Sequence, residues 1–225
     1  MFQPEIGHGC TFTGYGHDGQ TGTVMTTPTD QRIRAAAVRL FTEKGTDSVT
    51  LSELAQEANV ARGTLYRNIG SMDTLFERVV ADLGENMHRR VAKTFADIDD
   101  PAARLATGIR LWVRYAHDHP QLGRFAVKFG LTAESLRIMM TGPPAADIHA
   151  GVEAGRYAIT AAEIPTVISL VLGATISAMW MVLDGHQTWR TAGSATAELV
   201  LRATGIDPAE ARQLSTVELP DLPTD

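Results

Sequence analysis

The stretch TLSELAQEANVARGTLYRNI, residues 50–69, decides the fold of the N-terminal part of the chain. Thr50 and Glu53 match a capping box, in which each side chain accepts a hydrogen bond from a backbone N–H at the start of a helix. Asn59 is among the few non-glycine residue types that tolerate the positive φ of a sharp turn. The pattern predicts two short helices, residues 51–58 and 62–68, joined by a three-residue turn. This is the helix-turn-helix plan.

The spacing within this stretch has a physical reason at its key positions. Ala55 is small enough for the second helix to approach closely, and Leu65 buries the inner face of that helix. The other side chains of the second helix then point outward, where they can bond base edges and phosphate oxygens. We expect DNA contacts from Arg62, Gly63, Thr64, Tyr66, Arg67 and Asn68. From spacing alone, an ordinary helical hairpin with solvated arginines is the alternative.

Helical signals continue on both sides of this motif. Thr27 and Pro28 predict the start of a first helix, and Gly45 predicts its end. Ser71 caps a fourth helix, whose apolar residues recur at helical spacing as far as Leu83. The N-terminal part should therefore contain three helices of a helix-turn-helix unit and then a fourth.

The remainder of the chain is also helical in pattern and contains no run of strand-like residues. Pro101 and Pro120 bound one predicted helix, and Asp207 caps the last. Further helices are predicted at residues 121–129, 133–140, 145–157, 163–183 and 194–203. The predicted fold class is all-α, with a three-helix helix-turn-helix unit followed by a helical C-terminal part.

Composition and charge exclude several classes of protein. With 225 residues, of which 44% are hydrophobic, the chain is long and apolar enough for a sizeable core. Its 20 basic and 26 acidic residues give a net charge of −6, so DNA binding must come from a local basic patch. The single cysteine, Cys10, excludes a disulfide-stapled fold, and no secretory signal is recognisable. We therefore expect a cytoplasmic protein.

Residues 31–80 resemble the DNA-binding domain of tetracycline-repressor (TetR) family regulators. The run Gly63-Thr64-Leu65-Tyr66 is the most specific part of the resemblance. Other matching residues are Ala37, Leu40, Phe41, Gly45, Thr50, Leu54, Ala55, Ala58, Val60, Leu75 and Phe76. The resemblance implies a DNA-binding regulator in which Thr64 and Tyr66 contact phosphates and Thr50 anchors the second helix to the DNA backbone. The residues that it places in the major groove are Arg62, Arg67 and Asn68.

Three positions depart from the pattern of the resembled family. Ala61 stands where a Ser or Thr cap is usual, Ile69 replaces an aromatic residue, and Met72 replaces a phosphate-binding Lys. A missing cap weakens a helix by about 1 kcal/mol. A missing phosphate contact lowers the salt dependence of DNA binding by roughly one unit. We therefore expect weaker DNA binding than is typical of the resembled family.

Residues 164–183 contain no charged side chain and are long enough to cross a bilayer. Interior polar residues, acids at both flanks and the lack of an adjoining Lys or Arg argue against a membrane span. We interpret the segment as a buried helix with a small-residue ridge at Gly173, Ala174, Ser177 and Ala178. In the resembled family the last two long helices pair across a two-fold axis. The expected partners are thus a second copy, through residues of about 163–183 and 194–203, and palindromic double-stranded DNA.

Aromatic and sulfur-containing side chains are concentrated in the C-terminal half. We expect an apolar ligand cavity lined by Trp112, Tyr115, Phe125, Phe129, Met139, Met140, Tyr157 and Trp180. Ordinary core packing is the alternative for each of them. The mechanism of the resembled family implies a repressor that a small, largely apolar effector releases from DNA.

No sequence motif supports catalysis, a metal site or a cofactor. His117-Asp118-His119 lies at a helix end, where adjacent side chains point apart. We predict that the protein is not an enzyme. The alternative is a helical-bundle protein whose C-terminal pocket acts on a small molecule as an enzyme, with weak or no sequence-specific DNA binding.

The predicted organisation has four parts. They are a disordered tail at residues 1–27, the helix-turn-helix domain at 28–83, the effector-binding and dimerisation domain at 84–214 and a flexible tail at 215–225. Met25 lies just before the first helical signal, so a natural start at Met25 is a further hypothesis.

Overall fold

A computed structural model describes residues 27–223 of the chain. Within this range the regular structure is helical, and no strand occurs in it. The α-helices are α1 Pro28–Lys44, α2 Leu51–Glu57, α3 Arg62–Ile69, α4 Met72–Lys93, α5 Pro101–Asp118, α6 Pro120–Phe129, α7 Ala133–Thr141, α8 Pro143–Glu153, α9 Ile164–Leu183, α10 Trp189–Ala203 and α11 Pro208–Leu214. The all-α prediction is confirmed. The predicted tail at residues 1–26, together with Cys10 and Met25, lies outside the described residues.

Helices α1, α2 and α3 surround one closed core, to which the start of α4 also contributes. Its fully buried side chains include Ile33, Leu54 and Leu65. The capping box at the start of α2 is present, with the Thr50 N–H donating to Glu53 Oε2 at 2.9 Å. Asn59 has a φ of +51° and turns the chain between α2 and α3. The helix-turn-helix geometry therefore follows the sequence pattern closely.

Helix α4 connects the two halves of the molecule. Its first half, with Leu75, packs on the core of α1–α3, and its second half, with Met87, packs on the C-terminal bundle. Because α4 runs without a break from Met72 to Lys93, the predicted domain boundary between residues 83 and 84 falls inside a helix. The apolar pattern that stops at Leu83 marks a change of packing partner rather than the end of the helix.

Helix α5 is the central element of the C-terminal bundle and packs against α8, α9 and α10. Helix α10 approaches it closely at Gly193, where an added Cβ would lie 3.4 Å from the Cα of Arg110. Helix α10 begins at Trp189, before the predicted start at residue 194, because the Thr188 side chain caps it. Helix α8 ends at Glu153, earlier than predicted, and Gly155 follows with a φ of +67°.

The C-terminal segment at residues 215–223 is packed rather than free, so the predicted flexible tail needs correction there. Leu219 and Leu222 pack on a cluster that includes Met87 and Leu111. The Arg90 side chain donates to the Pro223 carbonyl at 2.9 Å, and Arg114 pairs with Asp221 at 3.4 Å. Two leucines spaced along a Pro-rich sequence show no helical period, so the sequence pattern gave no sign of this contact. Residues 224–225 lie outside the described range.

Among residues 27–223, one helical stretch, Ala161–Leu183, is long and apolar enough to span a membrane by length and composition. One face of α9 is buried inside the bundle, with Val167, Ile168 and Met179 among its covered side chains. The opposite face is open, and Leu170 and Trp180 are 44% and 45% exposed there. In a single copy, α9 is therefore buried on one side and open on the other.

Candidate DNA-binding surface and ligand cavity

Helix α3 presents a polar face to solvent. Arg62, Gly63, Tyr66 and Arg67 are exposed, and Leu65 and Ile69 are buried on the opposite side. Tyr66 is the most open of the large side chains here, at 58% exposure. Ile69 fills a core position, which explains how an aliphatic residue is accommodated there. The exposed face has the donors and the cationic groups that base edges and phosphates require.

Thr64 and Asn68 are only half-exposed, because both take part in bonds within the unit. The Asn68 side chain donates to the Thr64 carbonyl at 2.6 Å, and Arg67 donates to the Thr64 hydroxyl at 3.4 Å. Arg78 of α4 donates to the Asn68 carbonyl at 2.8 Å and so closes the end of α3. Asn68 therefore helps to hold α3 in place, a contact that the sequence did not indicate.

Thr50 is exposed at the start of α2, but its donors are already used. Its N–H and its hydroxyl both donate to Glu53, at 2.9 and 2.8 Å. Lys44 pairs with Glu53 at 2.7 Å, and this bond, with those from Thr50, lowers the pKa of Glu53 to about 2. A phosphate that reached Thr50 would meet this carboxylate, so the geometry favours Thr50 as a helix cap.

The start of α3 carries no side-chain cap, since Ala61 forms no capping hydrogen bond. Arg32 of α1 lies beside the preceding turn, with its guanidinium 3.5 Å from the Asn59 carbonyl. It adds a cation next to α3 that the sequence analysis missed, because α1 is remote from the motif along the chain. The sequence indicated only that Arg32 lies on the exposed face of the helix before the motif, not that it lies beside the turn.

A cavity of about 170 Å³ lies inside the C-terminal bundle and is bounded by α4, α5, α6, α7, α8 and α9. Of the expected lining residues, the structure brings Trp112, Tyr115, Phe125, Phe129 and Met139 together around it. Other side chains in the wall include Leu83, His88, Val91, Phe95 and Ile138. Most of this wall is apolar, as a site for an apolar molecule requires.

Three residues expected at the cavity lie elsewhere, and the expectation is corrected for each. Met140 points to solvent at 40% exposure, because its neighbours Ile138 and Met139 occupy the inner face of α7. Trp180 lies on the open face of α9 beside His186. Tyr157 is 5% exposed within a separate core cluster, where its ring lies against Gly151.

His88 of α4 is the lining residue whose chemistry stands out, and the sequence analysis did not single it out. It is 8% exposed, and its Nε2 atom has no hydrogen-bond partner within residues 27–223. Burial lowers the pKa of His88 to about 4, so the imidazole is neutral near pH 7. The Trp112 ring packs on it edge-on, with the ring centroids 5.5 Å apart. The sequence pattern predicted α4 only as far as Leu83, so it did not place His88 on a helix. Once α4 is known to reach Lys93, its helical period places His88 on the buried face.

Helices α1–α3 and the start of α4, which share one core, are called the DNA-binding unit below. Helix α6 contributes both to this core and to the cavity wall. Phe125 and Phe129 line the cavity, and they also contact Phe76 of α4 at ring distances of 6.2 and 5.0 Å. Phe76 in turn packs edge-on against Phe41 of α1 at 5.7 Å. Lys128 donates to the Phe41 and Thr42 carbonyls at the end of α1, at 3.1 and 2.7 Å. One short helix therefore connects the cavity to α1.

Neither a metal site nor a catalytic group is formed at His117-Asp118-His119. Asp118 pairs with Arg114 at 3.6 Å, and the His119 ring packs on Tyr115. No group of three or more His, Cys, Asp or Glu side chains that could hold a metal ion occurs within residues 27–223.

Comparison with known proteins assigns both halves of the chain to one family. Residues 33–79 match the model of bacterial regulatory proteins of the tetR family, and residues 100–216 match the tetracycline-repressor-like C-terminal domain. A helix-turn-helix transcriptional regulator of Mycobacterium tuberculosis is 35% identical over 91 residues, 40% of this chain and 45% of that protein. The nucleoid occlusion factor SlmA of Aliivibrio fischeri is 27% identical over 109 residues, 48% of this chain and 56% of that protein. The chain thus spans about half the length of these curated relatives.

Solved structures agree with this assignment over a larger part of the fold. The regulator RolR, in complex with resorcinol, superposes with a TM-score of 0.66 at 26% identity. The match covers 87% of this chain and 96% of that one, including both the DNA-binding unit and the C-terminal bundle. The chain belongs to the TetR family of bacterial regulatory proteins.

Proposed function

We propose that the protein is a cytoplasmic repressor that binds an inverted-repeat operator as a homodimer and is released by a small, largely apolar effector. The observation that carries the proposal is the position of α6, whose Phe125 and Phe129 are shared by the cavity wall and the core of the DNA-binding unit. A molecule in the cavity would press on the same side chains that support α1 and α4.

The DNA-contacting residues that we propose are those that α3 exposes, together with one cation from α1. Arg62 and Arg67 reach base edges, Tyr66 and Thr64 reach phosphates, and Gly63 allows the backbone to approach the duplex. Arg32 adds a phosphate contact beside the turn. Thr50 and Asn68 act mainly by holding α2 and α3, since Thr50 donates to Glu53 and the Asn68 amide donates to the Thr64 carbonyl.

Dimerisation supplies the second recognition helix that an inverted repeat requires. The exposed face of α9 carries Leu170 and Trp180, and α10 exposes Leu199 at 61%. Gly173 has no neighbour within 4 Å of an added Cβ, so this part of α9 is open to close approach by another helix. Pairing of α9 and α10 with the same helices of a second copy would cover this apolar surface.

The dimer is tested by Leu199→Glu, with Leu131→Glu as a matched control. Both leucines are about equally exposed, at 61% and 60%, but Leu131 lies outside α9 and α10. We expect sedimentation equilibrium to show a dimer for the wild type and for Leu131→Glu, and a monomer for Leu199→Glu. A dimer in all three proteins would contradict the proposed interface.

The effector is proposed to be small because the cavity is small and its wall is mostly apolar. The RolR structure contains resorcinol, a small aromatic molecule, in a protein of the same family. Because coupling between two sites is reciprocal, operator DNA must weaken effector binding by the factor by which the effector weakens DNA binding. The alternative of an enzyme predicts turnover of the bound molecule, whereas a regulator releases its effector unchanged.

The test of the proposed function is selection of bound duplexes from a random pool at physiological salt. The enriched sequence and a scrambled version are then titrated by fluorescence anisotropy. We expect an inverted repeat that is bound at least ~1,000-fold more tightly than the scramble, as is usual for specific regulators. Equal, salt-sensitive binding to both duplexes would overturn the proposal.

A further inference from the structure

Several polar groups in the cavity wall already have hydrogen-bond partners. The Thr175 hydroxyl donates to the Val171 carbonyl at 2.7 Å, and the Ser135 hydroxyl donates to the Phe129 carbonyl at 3.2 Å. At the edge of the wall, Arg104 pairs with Asp147 at 3.3 Å and also donates to the Ile98 carbonyl. These groups therefore have little capacity left for a ligand.

His88 differs from these groups. Its side chain is more than nine-tenths buried and lines the cavity, and its Nε2 atom has no hydrogen-bond partner among the described residues. A buried polar atom without a partner destabilises the fold relative to an apolar side chain of similar size. Nε2 of His88 is therefore available to form a hydrogen bond with a polar atom of a ligand.

The volume of the cavity limits the size of that ligand. An apolar cavity of about 150 Å³ is known to accept one benzene molecule. The cavity here measures about 170 Å³, which leaves room for one ring and a small substituent. Trp112, Phe125 and Phe129 supply ring edges and faces for packing against an aromatic ligand.

The charge of the wall limits its chemistry. The low pKa of His88, about 4, leaves the imidazole neutral near pH 7, so it does not neutralise an anion. The guanidinium of Arg104 is already engaged by Asp147. Arg104 is the only Lys or Arg among the described residues that line this cavity, so burial of a carboxylate in it would be costly. A hydroxyl group both donates and accepts, so it satisfies Nε2 in either tautomer of the histidine.

We propose that the cavity binds a neutral, single-ring aromatic molecule whose hydroxyl group forms a hydrogen bond with Nε2 of His88. The proposal rests on the effector cavity of the proposed function and adds the class of the ligand and its anchoring residue. The ring occupies the space between α5 and α6, and the hydroxyl points towards α4.

The test is direct titration of the full-length protein, without DNA, by isothermal calorimetry or ligand-observed NMR. The probes are phenol, toluene of similar size without the hydroxyl, benzoate with a charge, and 2-naphthol with a second ring. We expect phenol to bind roughly 10-fold more tightly than toluene, the worth of one well-placed hydrogen bond. Benzoate and 2-naphthol should bind at least roughly 10-fold more weakly than phenol, because of burial of charge and overpacking.

Two variants isolate the role of His88. His88→Leu removes the hydrogen-bonding atom, and His149→Leu makes the same change at an exposed position of α8 that does not line the cavity. We expect His88→Leu to reverse the preference, so that toluene binds more tightly than phenol, and His149→Leu to leave it unchanged. His88→Gln, which retains an amide group, should restore part of the preference for phenol. Circular dichroism and the melting temperature check that each variant is folded.

The inference is overturned if phenol and toluene bind the wild type equally, if neither binds, or if His88→Leu weakens both alike. Tight binding of benzoate or 2-naphthol would also overturn it. The proposed function stands or falls separately on selection of an inverted repeat. Specific DNA binding without a preference for phenol would retain the regulator and reject the ligand class. A His88-dependent preference for phenol without specific DNA binding would support the ligand class and reject the proposed regulator.

Discussion

The DNA-binding unit and the C-terminal bundle differ in how completely they bury their apolar side chains. Helices α1–α3 share a buried core with the start of α4 and with Phe125 of α6, and side chains cap α1 and α2 at their starts. The bundle keeps a cavity at its centre and exposes apolar faces on α9 and α10. The first region therefore buries its apolar side chains, whereas the second leaves part of its apolar surface uncovered.

The largest expected effect comes from the side chain that the two regions share. Phe125→Ala removes a 3%-exposed ring that lies in the core of the DNA-binding unit and in the cavity wall. We expect a loss of about 3–5 kcal/mol in the free energy of unfolding, the usual cost of a buried Phe→Ala change. Urea denaturation at constant protein concentration measures it.

The control is Phe95→Ala, which removes a ring that lines the cavity without joining the core of the DNA-binding unit. Because Phe95 is only partly buried, the expected loss is smaller, and DNA affinity should stay close to that of the wild type. If both variants lower stability and DNA affinity equally, α6 does not link the two regions in the way we describe.

The same contrast explains what the sequence could predict. The limits of α2 and α3 follow from local signals, namely the Thr50 capping box and the positive φ of Asn59. The cavity depends on how six helices meet, and helical periodicity cannot distinguish a ring in a cavity wall from one in a filled core. Tyr157 and Trp180 illustrate this, since both are aromatic residues within predicted helices, yet one fills a core and the other faces solvent.

His88 gives a pH-dependent test that is specific to the bundle. Burial lowers the pKa of His88 to about 4, whereas in the unfolded chain it titrates at about 6.5. The unfolded state therefore binds the proton first as pH falls, so stability is lost between about pH 6.5 and about pH 4. We expect this residue to account for a loss of up to about 3 kcal/mol across that range. His88→Leu should remove that loss, as measured by urea denaturation at several pH values.

His149→Leu should keep the pH dependence of the wild type, because His149 is exposed on α8. His88→Leu should also be more stable than the wild type by about 1–2 kcal/mol near neutral pH, since it removes an unsatisfied buried polar atom. Parallel pH curves for the wild type and His88→Leu would mean that the imidazole has a partner in solution.

Substitution of Arg62 and of Arg32 distinguishes base contacts from phosphate contacts within the DNA-binding unit. Arg62→Ala should lower affinity for the selected operator by about 1–3 kcal/mol and relax the preference at one base pair. Arg32→Ala should weaken binding to the operator and to the scramble alike, and it should lower the salt dependence by about one unit. Anisotropy titrations at several salt concentrations measure both. If Arg32→Ala changes only operator binding, Arg32 reads a base.

Ala61→Ser tests whether the uncapped start of α3 is a weak point in an otherwise well-capped unit. A serine at this position can accept the hydrogen bond that Ala61 cannot, so we expect a gain of about 1 kcal/mol in stability. Ala35→Ser, at an exposed position inside α1, is the matched control and should bring a small loss. An equal effect of both substitutions on the urea midpoint would count against the missing cap.

The smallest expected effect is that of Met72→Lys at the start of α4. Met72 is partly buried against the core of the DNA-binding unit, and the aliphatic stem of a lysine can keep this contact while its ammonium group reaches solvent. We expect tighter binding to all duplexes alike and a log–log salt slope that is steeper by about 0.9. Met72→Leu keeps the apolar contact without the charge and should leave the slope unchanged. If the lysine leaves affinity unchanged in low salt, α4 begins too far from the phosphates to contact them, and DNA binding rests on α3 and Arg32.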